Sequence, residues 1–181
     1  RRTDALRDID FIISDDINIM ALFPKQEIKR NSFGGYKLTI GELPIDIWVI
    51  KNTWALNYGQ LKLSFSQLEH LPDTTFFNFS SVLFSLNQKQ FILGKAFLRF
   101  LRDKKLDVVF EENPYPALCI VNSFYYSDKF SLKIENRLKQ YILNKYEKYD
   151  QEFDKVQLKH FGKVLYTKNE LFSRIAELKK T

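Results

Sequence analysis

Cysteine is all but missing from this 181-residue chain. The one thiol, Cys119, allows no disulfide within a single copy, and its place in the apolar run 117–121 reads as a buried, inert side chain. Histidine is nearly as scarce. His70 and His160 stand far apart and without metal-ligand spacing, which assigns them solvated or packing roles in preference to catalysis. No apolar run approaches the roughly 20 residues that span a bilayer, and no signal-peptide pattern opens the chain. Membrane spanning by a helix is thereby not indicated, and a cytoplasmic setting is expected by default. Internal repeats and low-complexity tracts are lacking too.

What is present is ordinary for a soluble protein: 45% hydrophobic and 28% charged residues, enough to bury a core in one domain or one domain with a small appendage. Phenylalanine is the exception, with 17 residues beside 9 tyrosines. The net charge of +6 favours polyanionic partners, nucleic acid or nucleotides, although Lys and Arg look dispersed along the chain. The chain opens at Arg1 without Met, directly before an expected strand, so an upstream segment is expected to have been removed, left disordered or supplied elsewhere.

The run Asp8–Ser14 predicts a strand with two acids at its start. Ile17–Phe23 predicts a short helix ended by Pro24, and Glu27–Phe33 a strand leading to Gly34-Gly35. Tyr36–Ile40 and Ile45–Ile50 predict strands joined by a hairpin at residues 41–44. Thr53 to about Pro72 is irregular with helical character, and Gln90–Phe110 yields no assignment. Two prolines in Asn113-Pro114-Tyr115-Pro116 start a buried helix over Ala117–Ser127. Helical spacing at Ile134, Leu138, Tyr141, Ile142 and Tyr146, and again at Leu171, Ile175 and Leu178, makes the last third helical. The expected organisation is a mixed α/β part, residues 1–112, and a helical part, residues 113–181.

Asp8 and Asp10, one residue apart on a strand, point to the same face. Two facing carboxylates repel unless a cation or protons neutralise them. Asp46 interrupts the otherwise apolar Pro44-Ile45-Asp46-Ile47-Trp48, where an unpaired ionised carboxylate is expensive to bury. If Asp46 reaches the face of Asp8 and Asp10, three oxygen-rich side chains surround one point, the arrangement that holds Mg²⁺ with substrate phosphates and supports two-metal phosphoryl transfer. Lys29, Arg30, Lys37 and Lys51 flank these acids in sequence as possible phosphate contacts beside an ordinary solvated role. Gly34-Gly35 reads as a tight bend or bulge into the strand at Tyr36. Trp48 and Trp54 read as core or rim residues, with stacking on a base as the alternative.

On these residues the chain resembles the nucleotidyltransferase superfamily, in particular the head domain of class II CCA-adding enzymes and bacterial poly(A) polymerases. Arg7-Asp8-Ile9-Asp10-Phe11 looks like that family's Asp-x-Asp strand, and Leu43-Pro44-Ile45-Asp46-Ile47-Trp48 like the later strand with the third carboxylate. The segment 74–82, with Phe77 and Asn78, resembles the family's Arg-Arg-Asp-Phe-Thr-x-Asn-Ala motif, and Asn113–Val121 with Phe124 its neck helix. The departures are plain: Asp73-Thr74-Thr75 replaces the Arg-Arg-Asp triplet, 117–126 holds no basic residue, and the helix that selects the base has no evident counterpart. The resemblance implies an α+β fold of the polymerase-β-like type, a mixed sheet with flanking helices followed by a helical neck. It implies transfer of a nucleotidyl group from a nucleoside triphosphate, ATP or CTP, to a hydroxyl acceptor on an RNA 3′ end such as tRNA, a protein or a small molecule. Asp8, Asp10 and Asp46 would be catalytic and hold Mg²⁺ or Mn²⁺, while Arg2, Arg7 and Asn78 would contact the nucleotide. A second reading, prompted by the missing arginines, is a module that keeps the fold and binds without turnover. A third, a basic RNA-binding protein, rests on charge alone.

Overall fold

In a computed structural model the described residues are 8–15, 17–31, 34–53, 55–56 and 68–180. Arg2, Arg7, Trp54 and most of the stretch expected to be helical between residues 53 and 72 lie outside them. The chain forms two compact units, residues 1–68 and 69–181. The break expected after residue 112 falls inside the second unit, because Phe76, Phe77, Leu106 and Val108 join one core with the helices that follow.

The first unit is built on a mixed four-stranded sheet in the order β1-β4-β3-β2. Its strands are β1 (Ile9–Ile13), β2 (Lys29–Arg30), β3 (Tyr36–Ile40) and β4 (Leu43–Val49). Strand β4 runs antiparallel to β3 through the turn at Gly41-Glu42 and parallel to β1. Gly41 adopts φ +62°, a left-handed conformation that costs glycine little. The period-two pattern does the sorting: Ile45, Ile47 and Val49 of β4 are buried while Pro44, Asp46 and Trp48 take the other face. Ile45 and Ile47 cluster with Tyr36, Leu38 and Ile19 of α1 (Ile19–Leu22), and Phe11, Ile13 and Phe23 close the edge of that cluster. Helix α1 is brief. The Asn18 side chain accepts the Ala21 N–H at 3.1 Å at its start, and Pro24 follows its end.

The second unit opens with 3₁₀ turns over Leu68–Thr74 and Asn78–Ser80. The hairpin of β5 (Val82–Ser85) and β6 (Gln90–Leu93) follows, then α2 (Lys95–Asp103) and β7 (Lys105–Leu106). Helix α3 (Pro116–Phe130) begins with Pro116 in its first turn, as the proline pair predicts, and is the central element, with Ile120, Val121 and Phe124 fully or almost fully buried. Strand β8 (Lys133–Ile134) pairs parallel with β7, and helices α4 (Asn136–Tyr149), α5 (Phe153–Phe161) and α6 (Lys168–Lys180) complete the unit. Burying each large side chain here contributes about 1.5–3 kcal/mol. The phenylalanine excess finds its place in ring contacts: Phe79 packs on Phe77, Phe100, Tyr126 and Phe130 at centroid distances of 4.9–6.1 Å. Gln157, fully buried, accepts the N–H groups of Leu165 and Tyr166 and donates to the Tyr166 carbonyl, fixing the link between α5 and α6. Among the described residues no helix is long and apolar enough to cross a membrane.

Candidate functional site

Strand register decides how the acids of the first unit meet. In the parallel ladder of β1 and β4, Asp10 stands opposite Asp46, so both side chains project from one face of the sheet. Alternation back along the chain puts Asp8, just ahead of the first paired residue Ile9, on that face as well. The antiparallel ladder of β3 and β4 sets Lys37 opposite Asp46, and that of β2 and β3 sets Lys29 opposite Lys37. A single row thus crosses the sheet as Asp10, Asp46, Lys37, Lys29. With strands about 4.8 Å apart, it spans roughly 14 Å.

Asp46 is the least settled member of the row. Its side chain is only 18% exposed, and Oδ2 meets Lys37 Nζ at 3.4 Å. Oδ1 is buried and has no hydrogen-bond partner among the described residues. A carboxylate oxygen left unsatisfied costs about 1–3 kcal/mol or more, so this atom calls for a water, a cation or a ligand group. Among the described residues, no three Asp, Glu, His or Cys side chains stand close enough to form a complete ligand set. The expected trio therefore shares a face without closing on one point. Mg²⁺ does not require closure, because it takes one or two protein carboxylates and fills the remaining positions with water and substrate phosphates. The hard oxygens of Asp10 and Asp46, one of them unsatisfied, fit such an ion.

The remaining side chains frame the row. Gly34 turns at φ +80°, and Gly35 lies so close to β4 that an added Cβ would meet the Ile47 carbonyl oxygen at 2.9 Å and Trp48 Cβ at 3.0 Å. The Asn31 side chain accepts the Gly35 N–H at 2.8 Å, and Arg30 lies over the Tyr36 ring at 3.9 Å while donating to the Gly34 carbonyl. The double glycine is thus a bend that seats β3 against β4. Lys29 is held by Glu27 at 3.1 Å, and Trp48, two residues beyond Asp46, shares its face.

Other residues singled out from the sequence lie in the second unit. Asn78 is 5% exposed; its amide donates to the Lys105 carbonyl and accepts the Asp107 N–H, at 2.9 and 3.0 Å. That side chain braces β7. Helix α3, the counterpart of the resembled neck, carries its first basic residue only at Lys129, in its last turn. Burial pushes the Cys119 thiol up to about 12, in keeping with an inert side chain. His70 sits 3.7 Å from Asp73 at the surface, and His160 packs edge-on against Phe161.

No family model matches the chain, and no curated protein matches it in sequence. Solved structures do match. A tRNA-processing enzyme with CTP aligns at a TM-score of 0.58 and 16% identity, over 89% of this chain and 44% of that one. A tRNA nucleotidyltransferase complexed with a primer tRNA and an incoming ATP analog aligns at 0.54 and 16%, over 90% of this chain and 48% of that one. The chain has a nucleotidyltransferase-like fold. A further complex of a tRNA-processing enzyme repeats the match, at 0.58 and 15%. The chain spans just under half the length of these neighbours. The mixed sheet of the first unit, and the six α-helices among the described residues, agree with the mixed α/β architecture expected from the resemblance.

Proposed function

We propose that the chain is a metal-dependent nucleotidyltransferase that moves a nucleoside monophosphate from a triphosphate, ATP or CTP, to a hydroxyl acceptor on an RNA 3′ end, a protein or a small molecule. The observation that carries this reading is the register of Asp10 with Asp46 on one sheet face, with Asp46 Oδ1 buried and unsatisfied. The names of the structural neighbours, which mention CTP, an ATP analog and tRNA, support the choice of substrates.

Asp10 and Asp46, with Asp8 beside them, would hold Mg²⁺ or Mn²⁺. Such an ion, when bound, neutralises phosphate oxygens and stabilises charge on the attacking and leaving oxygens of an in-line displacement. The protein side supplies position. Asp46 is fixed by its strand and by Lys37, and Lys37 and Lys29 place two ammonium groups further along the row, where the tail of a triphosphate meets positive charge. Arg2 and Arg7 belong to the same proposal as nucleotide contacts.

A second reading, a fold that binds nucleotide without turnover, is favoured by the absence of basic residues from 117–126. Calorimetric titration of the chain with each nucleoside triphosphate and Mg²⁺ or Mn²⁺, alongside pyrophosphate release with RNA and protein acceptors, separates the two. Metal-dependent binding that Asp10→Asn and Asp46→Asn abolish, with pyrophosphate release, supports transfer. Binding without release supports the second reading, and no binding at all removes both.

A further inference from the structure

The basic residues that look dispersed along the sequence are unbalanced in one place. Residues 82–106, the hairpin β5–β6 with α2 and β7, hold six basic side chains against the single acid Asp103, a net +5 in a chain whose total is +6. Arg102 pairs with Asp103 and Lys105 with Glu135. Lys89, Lys95 and Arg99 have no ion-pair partner among the described residues.

The same segment also exposes several large apolar side chains. Cross-strand register puts Val82, Phe84, Phe91 and Leu93 on one face of the hairpin, and Phe84 and Phe91 meet edge-on at 5.1 Å. Phe91 is 67% exposed and Leu86, in the connecting loop, 63%; Phe84 and Leu93 are exposed as well. Directly after the hairpin, Lys95, Leu98, Leu101 and Arg102 follow one exposed stripe of α2. Exposed apolar patches rimmed by charge mark interaction surfaces. Strands β5 and β6 pair only with each other, so each presents an outer edge that no other described strand pairs. A two-stranded hairpin with an exposed apolar face is marginal alone and invites a further strand.

We propose that this hairpin and the outward stripe of α2 form a docking surface for an acidic, apolar segment of a partner protein, laid along an open hairpin edge. Three features select that occupant. A second copy of this chain would bring the same Lys89, Lys95 and Arg99 against the first, so self-association is opposed by charge. A nucleic acid would find few stacking platforms, because four of the six exposed apolar side chains are leucines and the two phenylalanines are engaged with each other. A lipid surface would strand the main-chain groups of the open edges without hydrogen bonds, whereas a polypeptide pairs with them and its acids meet Lys89, Lys95 and Arg99. The surface belongs wholly to the second unit and stands whether or not the proposed nucleotidyl transfer does.

The test is a selection of displayed random peptides on the full chain, followed by fluorescence anisotropy of the enriched sequences. The expected pool is acidic and apolar, and its members bind at least about tenfold more weakly to Phe84→Gln/Phe91→Gln and to Lys95→Glu/Arg99→Glu. Circular dichroism checks that both variants fold. Should the phenylalanine variant unfold, the charge variant decides, by losing acidic peptides and gaining lysine-bearing versions of them. A pool with no charge bias, or affinities unmoved by the variants, overturns the proposal. So does tighter binding to single-stranded RNA or to phosphatidylserine vesicles than to any selected peptide, or concentration-dependent dimerisation that the Phe84→Gln/Phe91→Gln variant abolishes.

Discussion

Replacing Asp46 by valine should make the metal-free protein more stable, although it removes an ion pair. The Asp46 carboxylate is largely buried, and its Oδ1 lacks a partner among the described residues. Removing such a group relieves about 1–3 kcal/mol. The lost contact with Lys37, itself half exposed, is worth about 0–1 kcal/mol. Valine suits the pleated, half-buried strand. The balance is a gain of about 1–2 kcal/mol, while Asp46→Asn, which keeps a polar group in place, should change stability by no more than about 0.5 kcal/mol. Urea unfolding in the presence of a chelator, followed by tryptophan fluorescence, reads this unit selectively, because Trp48 and Trp54, the only tryptophans, both lie in residues 1–68. For a small unit with a urea dependence of about 1 kcal/mol per molar, the midpoint should rise by roughly 1–2 M. If Asp46→Val instead loses 1 kcal/mol or more, the carboxylate is satisfied by the fold itself, and the reason for expecting a cation there disappears.

Gly35→Ala should cost about 1–3 kcal/mol in the same fluorescence assay, since the new methyl group meets the Ile47 carbonyl and Trp48 Cβ, backbone-anchored atoms that move only with β4; no measurable loss would mean that the strands are not so closely seated. Gln157→Ala should lower second-unit stability by about 2–3 kcal/mol in thermal melts followed by far-ultraviolet circular dichroism, because three backbone groups of residues 165–166 lose their partner. Asp128 is held below the ordinary aspartate range, first by the hydrogen bonds from Arg174 and then by the Tyr166 hydroxyl. Its contribution is complete above the ordinary aspartate pKa and is lost as pH falls through the depressed one; with Asp128 about half exposed, it is roughly 1 kcal/mol, and Asp128→Asn should flatten that part of the acid limb. Asp107, raised chiefly by burial, acts with the opposite sign, disfavouring the folded state as pH rises past the ordinary aspartate value.

The site's strands were legible because short-range rules govern them. Their register was not: the four-residue connection 41–44 expected from the sequence would pair Ile40 with Ile45, whereas the chain turns at Gly41-Glu42 alone, pairs Ile40 with Leu43 and so brings Lys37 opposite Asp46. The parallel partner is no easier: nothing local tells β1 to align Asp10, and not Ile9 or Phe11, with Asp46. The Asp-x-Asp resemblance carried that expectation. Residues 90–110 resisted assignment for a physical reason. Phe91, Leu98 and Leu101 are apolar yet exposed, so neither the period-two nor the helical pattern separates an inner from an outer face there. The expected boundary at residue 112 rested on the prolines that start α3, which mark a helix start; Leu106 and Val108 pack into the helical core on the near side of them.

The central claim is that Asp10 and Asp46 hold a divalent cation from one sheet face. Electron paramagnetic resonance of Mn²⁺, titrated into the protein with and without ATP or CTP, counts free ion directly. The account predicts that the free-ion signal falls on adding wild-type protein with nucleotide, beyond what nucleotide alone removes, and that Asp10→Asn and Asp46→Asn each restore it. A wild-type signal equal to that of nucleotide alone, or one that both substitutions leave unchanged, would contradict it.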